Sequence, residues 1–518
     1  MWIELVKFLE TRSGLYAILI LSLALKLLLY LPGGVINPDG VLYLEWARDI
    51  ALGHFEKVLS EATLPLYPII IGLIHAMGLD LVWAGQFVSI LGMTLFLIPL
   101  YLLTKDLFGQ KAAFWACLLA AIAPIPNKWA LGIVRSPFYL CFLFWGMYLS
   151  QRAIMEGKVH LFLIAGLCGV LAVMFRIEGI VFFPSFVVFL LIIGIFGGGQ
   201  LRQSSLKGLA VLLGLPLALL LAGYLLFGQQ FWSITRLIQV IAWGKEFLAG
   251  SFFERYWEIY EHLRVLESKA YFPGGKQNFA EIARHLMPLI YLFGLFKTFV
   301  KVVFPPFVVP LGWSFRHKWS AKHLWVVSFI GLYLFMIYLS LLKRDFIEYR
   351  FLLAPAILLY PWIGDGINNL LERPKRPKLT RMLVGAMVAI LFFTALAKNF
   401  YYVKKRDHSI TEAAAWINAH SEWSSKKVVT TDPRVALHAN QFHWLTYPLD
   451  LKKPEMNLKN LYAFARSVGA DLLILKLKKD QRDILKELPG NTQILASFTG
   501  RKYLTIILKV QWTQSSLS

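Results

Sequence analysis

Apolar residues in this chain gather in long runs separated by short charged loops. Runs long enough to cross about 30 Å of hydrocarbon fall near residues 15–31, 81–104, 111–126, 136–151, 159–175, 179–197, 206–227, 322–342, 351–371 and 380–400. A less regular run at 285–315, interrupted by Lys297 and Lys301, brings the expectation to about eleven spans. The first run ends without a small-residue cleavage pattern and so reads as an uncleaved anchor. The apolar stretch from Pro65 to Gly78 is too short to cross and is expected to be re-entrant or interfacial.

With that threading the loops sort by sign. Five short loops on one side carry Lys105, Lys111, Arg152, Lys158, Arg202, Lys207, Arg316, Lys318, Lys322, Arg373, Lys375, Arg376, Lys378 and Arg381 against three acids. This is the positive-inside pattern. It places the N-terminus in the cytoplasm and the C-terminus outside. Counting residues 65–78 as a span would move every later loop to the other side and destroy the pattern. The outer side then holds a first loop (32–80), a second loop (228–284) and a tail (404–518). Loops of that length call for helices of their own. In the second, FWSITRLIQVIAWGKEFLAGSFFERYWEIYEHLRVL has helical spacing suited to the membrane interface. The tail alternates differently: helices at 411–420, 458–468 and 479–488 and strands at 427–431, 471–475, 493–497 and 503–510 describe a small α/β unit. The expected fold is an α-helical polytopic membrane protein, residues 1–403, with a C-terminal α/β extracytoplasmic domain, residues 404–518.

Composition agrees. The 518 residues are 57% apolar and 16% charged, with mean hydropathy +0.58, which excludes an ordinary soluble surface. The net charge of +22 needs no nucleic acid to explain it. The five inner loops contribute 14 minus 3, about +11, and the tail 18 minus 10, about +8. Cys117, Cys141 and Cys168 all lie in apolar runs, so neither a disulfide framework nor a thiolate metal site is expected.

Polar groups are costly in lipid, so those present mark where water and substrate are. They collect on the outer side. Asp39, in Asn37-Pro38-Asp39-Gly40, follows the first span and reads either as a general base or as the N-cap of the next helix. Tyr43 and Tyr67 follow in the same loop. Arg135, Arg176 with Glu178, and Lys343, Arg344 and Arg350 stand at outer ends of different spans, as a bound phosphate requires. Snorkelling cations and an ordinary Arg176–Glu178 ion pair are the competing readings. His54 and Glu61 are the one weak pointer to a divalent metal; no cofactor is otherwise implied. The Gly-rich turn at 197–200 lacks the Lys-Ser/Thr of a P-loop, no GxSxG or HExxH element occurs, and the tail has no GxGxxG.

In chain order, NPDGVLYLEWARDIALG, LPLYPIIIGLIHAMG, TKDLFGQKAAF, VRSPFYLCFLF, FRIEGIVFFP and EYRFLLAPAILLY resemble the landmarks of the GT-C glycosyltransferases, and more closely their protein mannosyltransferase and aminoarabinose-transferase branch (glycosyltransferase family 39-like). The resemblance implies transfer of a sugar from a polyprenyl-phosphate carrier to a lipid, glycan or protein acceptor on the outer face of the plasma membrane, usually with inversion. It implies Asp39 as base or acceptor-orienting group. Arg350 and Arg176 come first as phosphate ligands, with Lys343, Arg344 and Arg135 in reserve. Two positions depart from the family pattern. Many relatives carry a second acid where this chain has Gly40, and an acid where it has Ser136-Pro137, which makes Glu178 and Glu61 the candidate substitutes. The alternative function is a lipid-linked oligosaccharide flippase or other secondary transporter, for which a passage continuous with both sides, mid-span charges and repeats would be expected.

Overall fold

The computed structural model of the chain describes residues 12–31, 34, 36–267, 277–314, 319–371, 378–423, 426–447, 457–488 and 492–512. Arg316, Lys318, Arg373, Lys375 and Arg376 of the inner loops lie outside them.

Every expected span contains a helix. Among the described residues six helices are long and apolar enough to cross a membrane, or up to eight if each of two bent pairs, Phe279–His285 with Met287–Val303 (70°) and Tyr349–Ile357 with Tyr360–Leu371 (49°), is one span. The other three runs form the helices Gln110–Ile122, Ser136–Glu156 and Val159–Phe175. At 1.5 Å per residue the first of these is only about 20 Å long. The 65–78 stretch is the 11-residue helix Leu66–Ala76, about 17 Å long.

Small residues let these helices approach closely, which is how apolar helices gain packing where lipid offers no hydrophobic drive. A Cβ on Gly169 would stand 2.6 Å from the Phe182 ring, and one on Gly364 2.4 Å from the Ala112 carbonyl oxygen. One continuous core runs through the helical part, from Leu25 and Leu44 to Leu391. The helix Gly199–Phe227 is the exception: Leu213, Leu217, Leu221 and Leu225 are exposed, an outward apolar face suited to lipid. The long loops 32–80 and 228–284 both contain helices, as expected. The first forms Pro38–Ala51, Phe55–Glu61 and Leu66–Ala76, and the second Gln230–Ile234, Leu237–Leu248 and Glu254–Leu266.

Beyond Lys404 the chain builds a five-stranded sheet from β1 (Val428–Thr430), β2 (Leu445–Thr446), β3 (Leu472–Lys478), β4 (Thr492–Thr499) and β5 (Tyr503–Val510). Its order is β2-β1-β3-β5-β4, with β2, β1 and β3 parallel and β3, β5 and β4 antiparallel. The central strand β3 is apolar on both faces: Leu473 and Leu475 pack with Leu461 and Ile506, while Leu472 and Ile474 pack with Ile410 and Ile417. That explains its unbroken apolar run. The segment 479–488 is a 3-10 helix, and two elements were not foreseen: β2 and the helix Pro433–His438. This six-residue helix packs against Pro38–Ala51, and its Leu437 belongs to the core of the helical part.

Burial, and then the neighbouring Arg434 charge, push the half-buried His438 imidazole down to about 4. An unfolded histidine titrates near 6.5. The unfolded chain therefore takes up a proton first, and native stability falls as pH drops from about 6.5 to about 4, by up to about 3 kcal/mol. Thermal unfolding of the purified chain across this window should show that slope in the wild type and a flatter profile in H438Q.

Candidate active site

The first landmark turn is set by its own residues. Pro38 opens the helix Pro38–Ala51 and Asn37 holds the N-cap position. The Asn37 carboxamide oxygen accepts from the Ile133 amide at 2.8 Å rather than capping. Asp39 therefore lies within the first turn and is not the N-cap, which corrects that alternative. Its carboxylate is free to face a cavity of about 410 Å³. There it pairs with the Arg350 guanidinium, which also contacts Glu348.

The cavity lies among the ends of several helices and the loops 32–80 and 228–284. Its lining contains five arginines, Arg135, Arg176, Arg236, Arg344 and Arg350, and two carboxylates, Asp39 and Glu178. The formal excess is five minus two, or +3, in a concave site with mostly apolar walls. Arg176 ends the helix Val159–Phe175 in an extended conformation and turns into the bundle with its side chain 8% exposed. It donates to both Glu178 oxygens, at 2.7 and 3.2 Å, and to Ser136 Oγ at 3.0 Å. This is a bidentate buried pair, tied through Arg176 to Ser136. Arg135 lies 5.2 Å from the Tyr43 ring and donates to the Thr63 carbonyl at 3.3 Å. Arg344 lies 4.7 Å from the Trp243 ring.

Seven of the nine expected site residues line this cavity: Asp39, Tyr43, Arg135, Arg176, Glu178, Arg344 and Arg350. Tyr67 is fully buried behind Tyr43, edge-on at 5.3 Å, with its hydroxyl 2.7 Å from Ser89 Oγ. Lys343 turns to Glu246 and the Phe252 ring. Neither Tyr67 nor Lys343 lines the cavity. His54 sits 3.6 Å from Asp49, Glu61 does not line the cavity, and among the described residues no group of three His, Cys, Asp or Glu could hold a metal ion.

Sequence reasoning missed Arg236. It precedes the interfacial helix Leu237–Leu248 with a φ of +58° and donates to Thr63 Oγ1 at 2.8 Å. The Leu64 amide donates to the Ile234 carbonyl at 2.7 Å, so the two long loops are joined at the cavity wall. The signal was present as a cation in an amphipathic stretch, indistinguishable there from a snorkelling one. Gly40 has a packing reason: a Cβ would come within 3.0 Å of Asn37 Oδ1 and 3.1 Å of Ile133 Cβ. A larger side chain does not fit here unless neighbours shift.

Tyr333, in the cavity wall, meets the buried Tyr139 hydroxyl to hydroxyl at 3.0 Å. A second cavity of about 260 Å³ lies beside the same turn, with Asn37, Lys128, Trp129, Tyr402 and Arg406 in its wall. The Trp129 ring lies 5.8 Å from the Lys128 ammonium and 5.8 Å from the Arg350 guanidinium.

Glu178→Gln leaves Arg176 buried without its counter-charge, a change that costs about 3–5 kcal/mol. Asp49→Asn, which opens the more exposed Lys57–Asp49 pair, should cost under about 1 kcal/mol. Melting temperatures of the two variants in detergent check the contrast.

Residues 60–224 match the family described as dolichyl-phosphate-mannose-protein mannosyltransferase. No curated protein matches the chain in sequence. Among solved structures, apo ArnT from Cupriavidus metallidurans is similar at 10% identity and a TM-score of 0.53, covering 94% of this chain and 97% of that one. The apo oligosaccharyltransferase of Archaeoglobus fulgidus is similar at 12% identity and a TM-score of 0.55, covering 90% and 70%. The same archaeal enzyme, AglB, in complex with an inhibitory peptide and a dolichol-phosphate, gives 14% identity and a TM-score of 0.52 over 89% and 69%. The chain thus has the fold of the GT-C superfamily of membrane glycosyltransferases.

Proposed function

We propose that this protein is an inverting membrane glycosyltransferase that moves a sugar from a polyprenyl-phosphate donor to a lipid, glycan or protein acceptor outside the cytoplasm. In this reading the N-terminus is cytoplasmic, residues 1–403 form the catalytic part and residues 404–518 the extracytoplasmic domain. The observation that carries the reading is the Asp39 carboxylate, set against Arg350 in a cavity with five arginines and two carboxylates in its wall.

The pairing suggests an order of events. Asp39 and Arg350 are 43% and 21% exposed, and an exposed pair is held by only about 0–1 kcal/mol. A donor phosphate exchanges onto Arg350 with little loss, and Arg135, Arg236 and Arg344 complete its shell. Arg176 keeps its charge on Glu178 and shapes the wall. Asp39, released, takes the proton of the acceptor hydroxyl or amine as that atom bonds to the anomeric carbon. The bond from that carbon to the phosphate oxygen breaks, and its electron pair leaves with the lipid phosphate. The phosphate gains about one negative charge in the step, and fixed arginines in a partly dry site stabilise that gain more than the ground state.

The second cavity, with Lys128 and Arg406 in its wall, supports an acceptor that carries negative charge. Asp39→Asn should fold as the wild type does and lose about 100- to 10,000-fold in transfer rate, measured with polyprenyl-phosphate-sugar in proteoliposomes. Arg350→Gln should chiefly weaken donor binding. Wild-type turnover by D39N would remove Asp39 from the role of base.

A further inference from the structure

The turn that carries Asp39 is held from two sides. Beneath it, the Asn37 side chain is tied to the Ile133 amide. Above it, from the α/β tail and 398 residues further along the chain, Arg434 donates through Nη1 to the Ile36 carbonyl at 3.4 Å. The Arg434 guanidinium is itself fixed. Its Nε donates to Asp432 Oδ1 at 2.7 Å and its Nη2 to Asp432 Oδ2. Asp432, 7% exposed, also accepts from Lys476 of β3 at 2.8 Å and from the Arg434 amide at 3.1 Å. The sheet thus grips a carboxylate, the carboxylate aims a planar guanidinium, and the free edge of that fork meets the carbonyl three residues before Asp39. A second clasp lies one helix length away, where the Phe442 ring covers the Arg48 guanidinium at 4.4 Å.

We propose that Arg434 is a positioning residue for Asp39, acting through the Ile36 carbonyl and the Asn37-Pro38 turn, so that the tail sets the catalytic geometry without touching substrate. The inference rests on the reading of Asp39 as the base. Hydrogen bonds between backbone and a charged, pre-aimed donor are strong enough to choose among turn conformations. A displacement of about 1 Å at a reacting group costs about 100-fold in rate.

The test uses the full chain in lipid nanodiscs. Hydrogen exchange of residues 36–45, which include the Gly40 amide bonded to the Asn37 carbonyl at 2.9 Å, should be about ten-fold faster in Arg434→Gln than in wild type, with β1, β3 and β5 unchanged. Turnover of synthetic polyprenyl-phosphate-mannose with water as acceptor should fall about 10- to 100-fold in kcat, with KM within about two-fold. Arg434→Lys, which keeps the charge and the stem, should recover part of the loss. Unchanged exchange at residues 36–45, or faster exchange confined to the sheet, overturns the proposal. An intact kcat in R434Q overturns it too. If the wild type does not turn over this donor, the glycosyltransferase reading fails for that sugar, and the exchange measurement still decides the positioning role.

Discussion

Lipid has no partner to offer a charge, and that constraint sorts nearly every ionisable group in this chain. Charges that stay inside the bundle are matched locally, as Asp365 is by Ser314 at 2.8 Å and Asn369 at 2.9 Å. The rest are driven to the two surfaces. Some sit in short, basic loops between helices. Where the loops are long they fold over the helix ends, and five arginines converge on one space. The cavity is a consequence of where the helices end, closed over by Thr63, Leu64 and the Ile234–Arg236 corner.

Much of this was legible because it depends on local pattern. Hydrophobic run length gave the helices, and the sign of the loops argued that residues 65–78 do not cross. Seven cavity residues were identifiable as polar groups at outer ends. What was not legible depends on distance in the chain. Asp39 and Arg350 are separated by 311 positions, and nothing in either segment specifies that they pair. Arg236 lies in an amphipathic helix-rich loop, where a cation over lipid headgroups and a cation over a ligand have the same spacing. Lys343 and Arg344 are adjacent in sequence and both lie over the Trp243 ring, at 5.5 and 4.7 Å, yet only Arg344 lines the cavity while Lys343 pairs with Glu246. The helix Pro433–His438 is too short for periodicity to reveal, and it is the element that ties the tail to the first loop.

The two arginine–carboxylate pairs in the cavity show how burial divides labour between chemically identical groups. Arg176 and Glu178 are neighbours in sequence, 8% and 20% exposed, and bidentate. Separating them exposes a charge to a medium that cannot solvate it, so the pair behaves as part of the wall. Arg350 and Asp39 come from opposite ends of the helical part and remain open to water. Their attraction is screened, and an incoming dianion or monoanion can replace the carboxylate at small cost. With the buried pair fixed in the wall and the open pair exchangeable, the formal excess of +3 on the lining makes the space between them favourable to an anion.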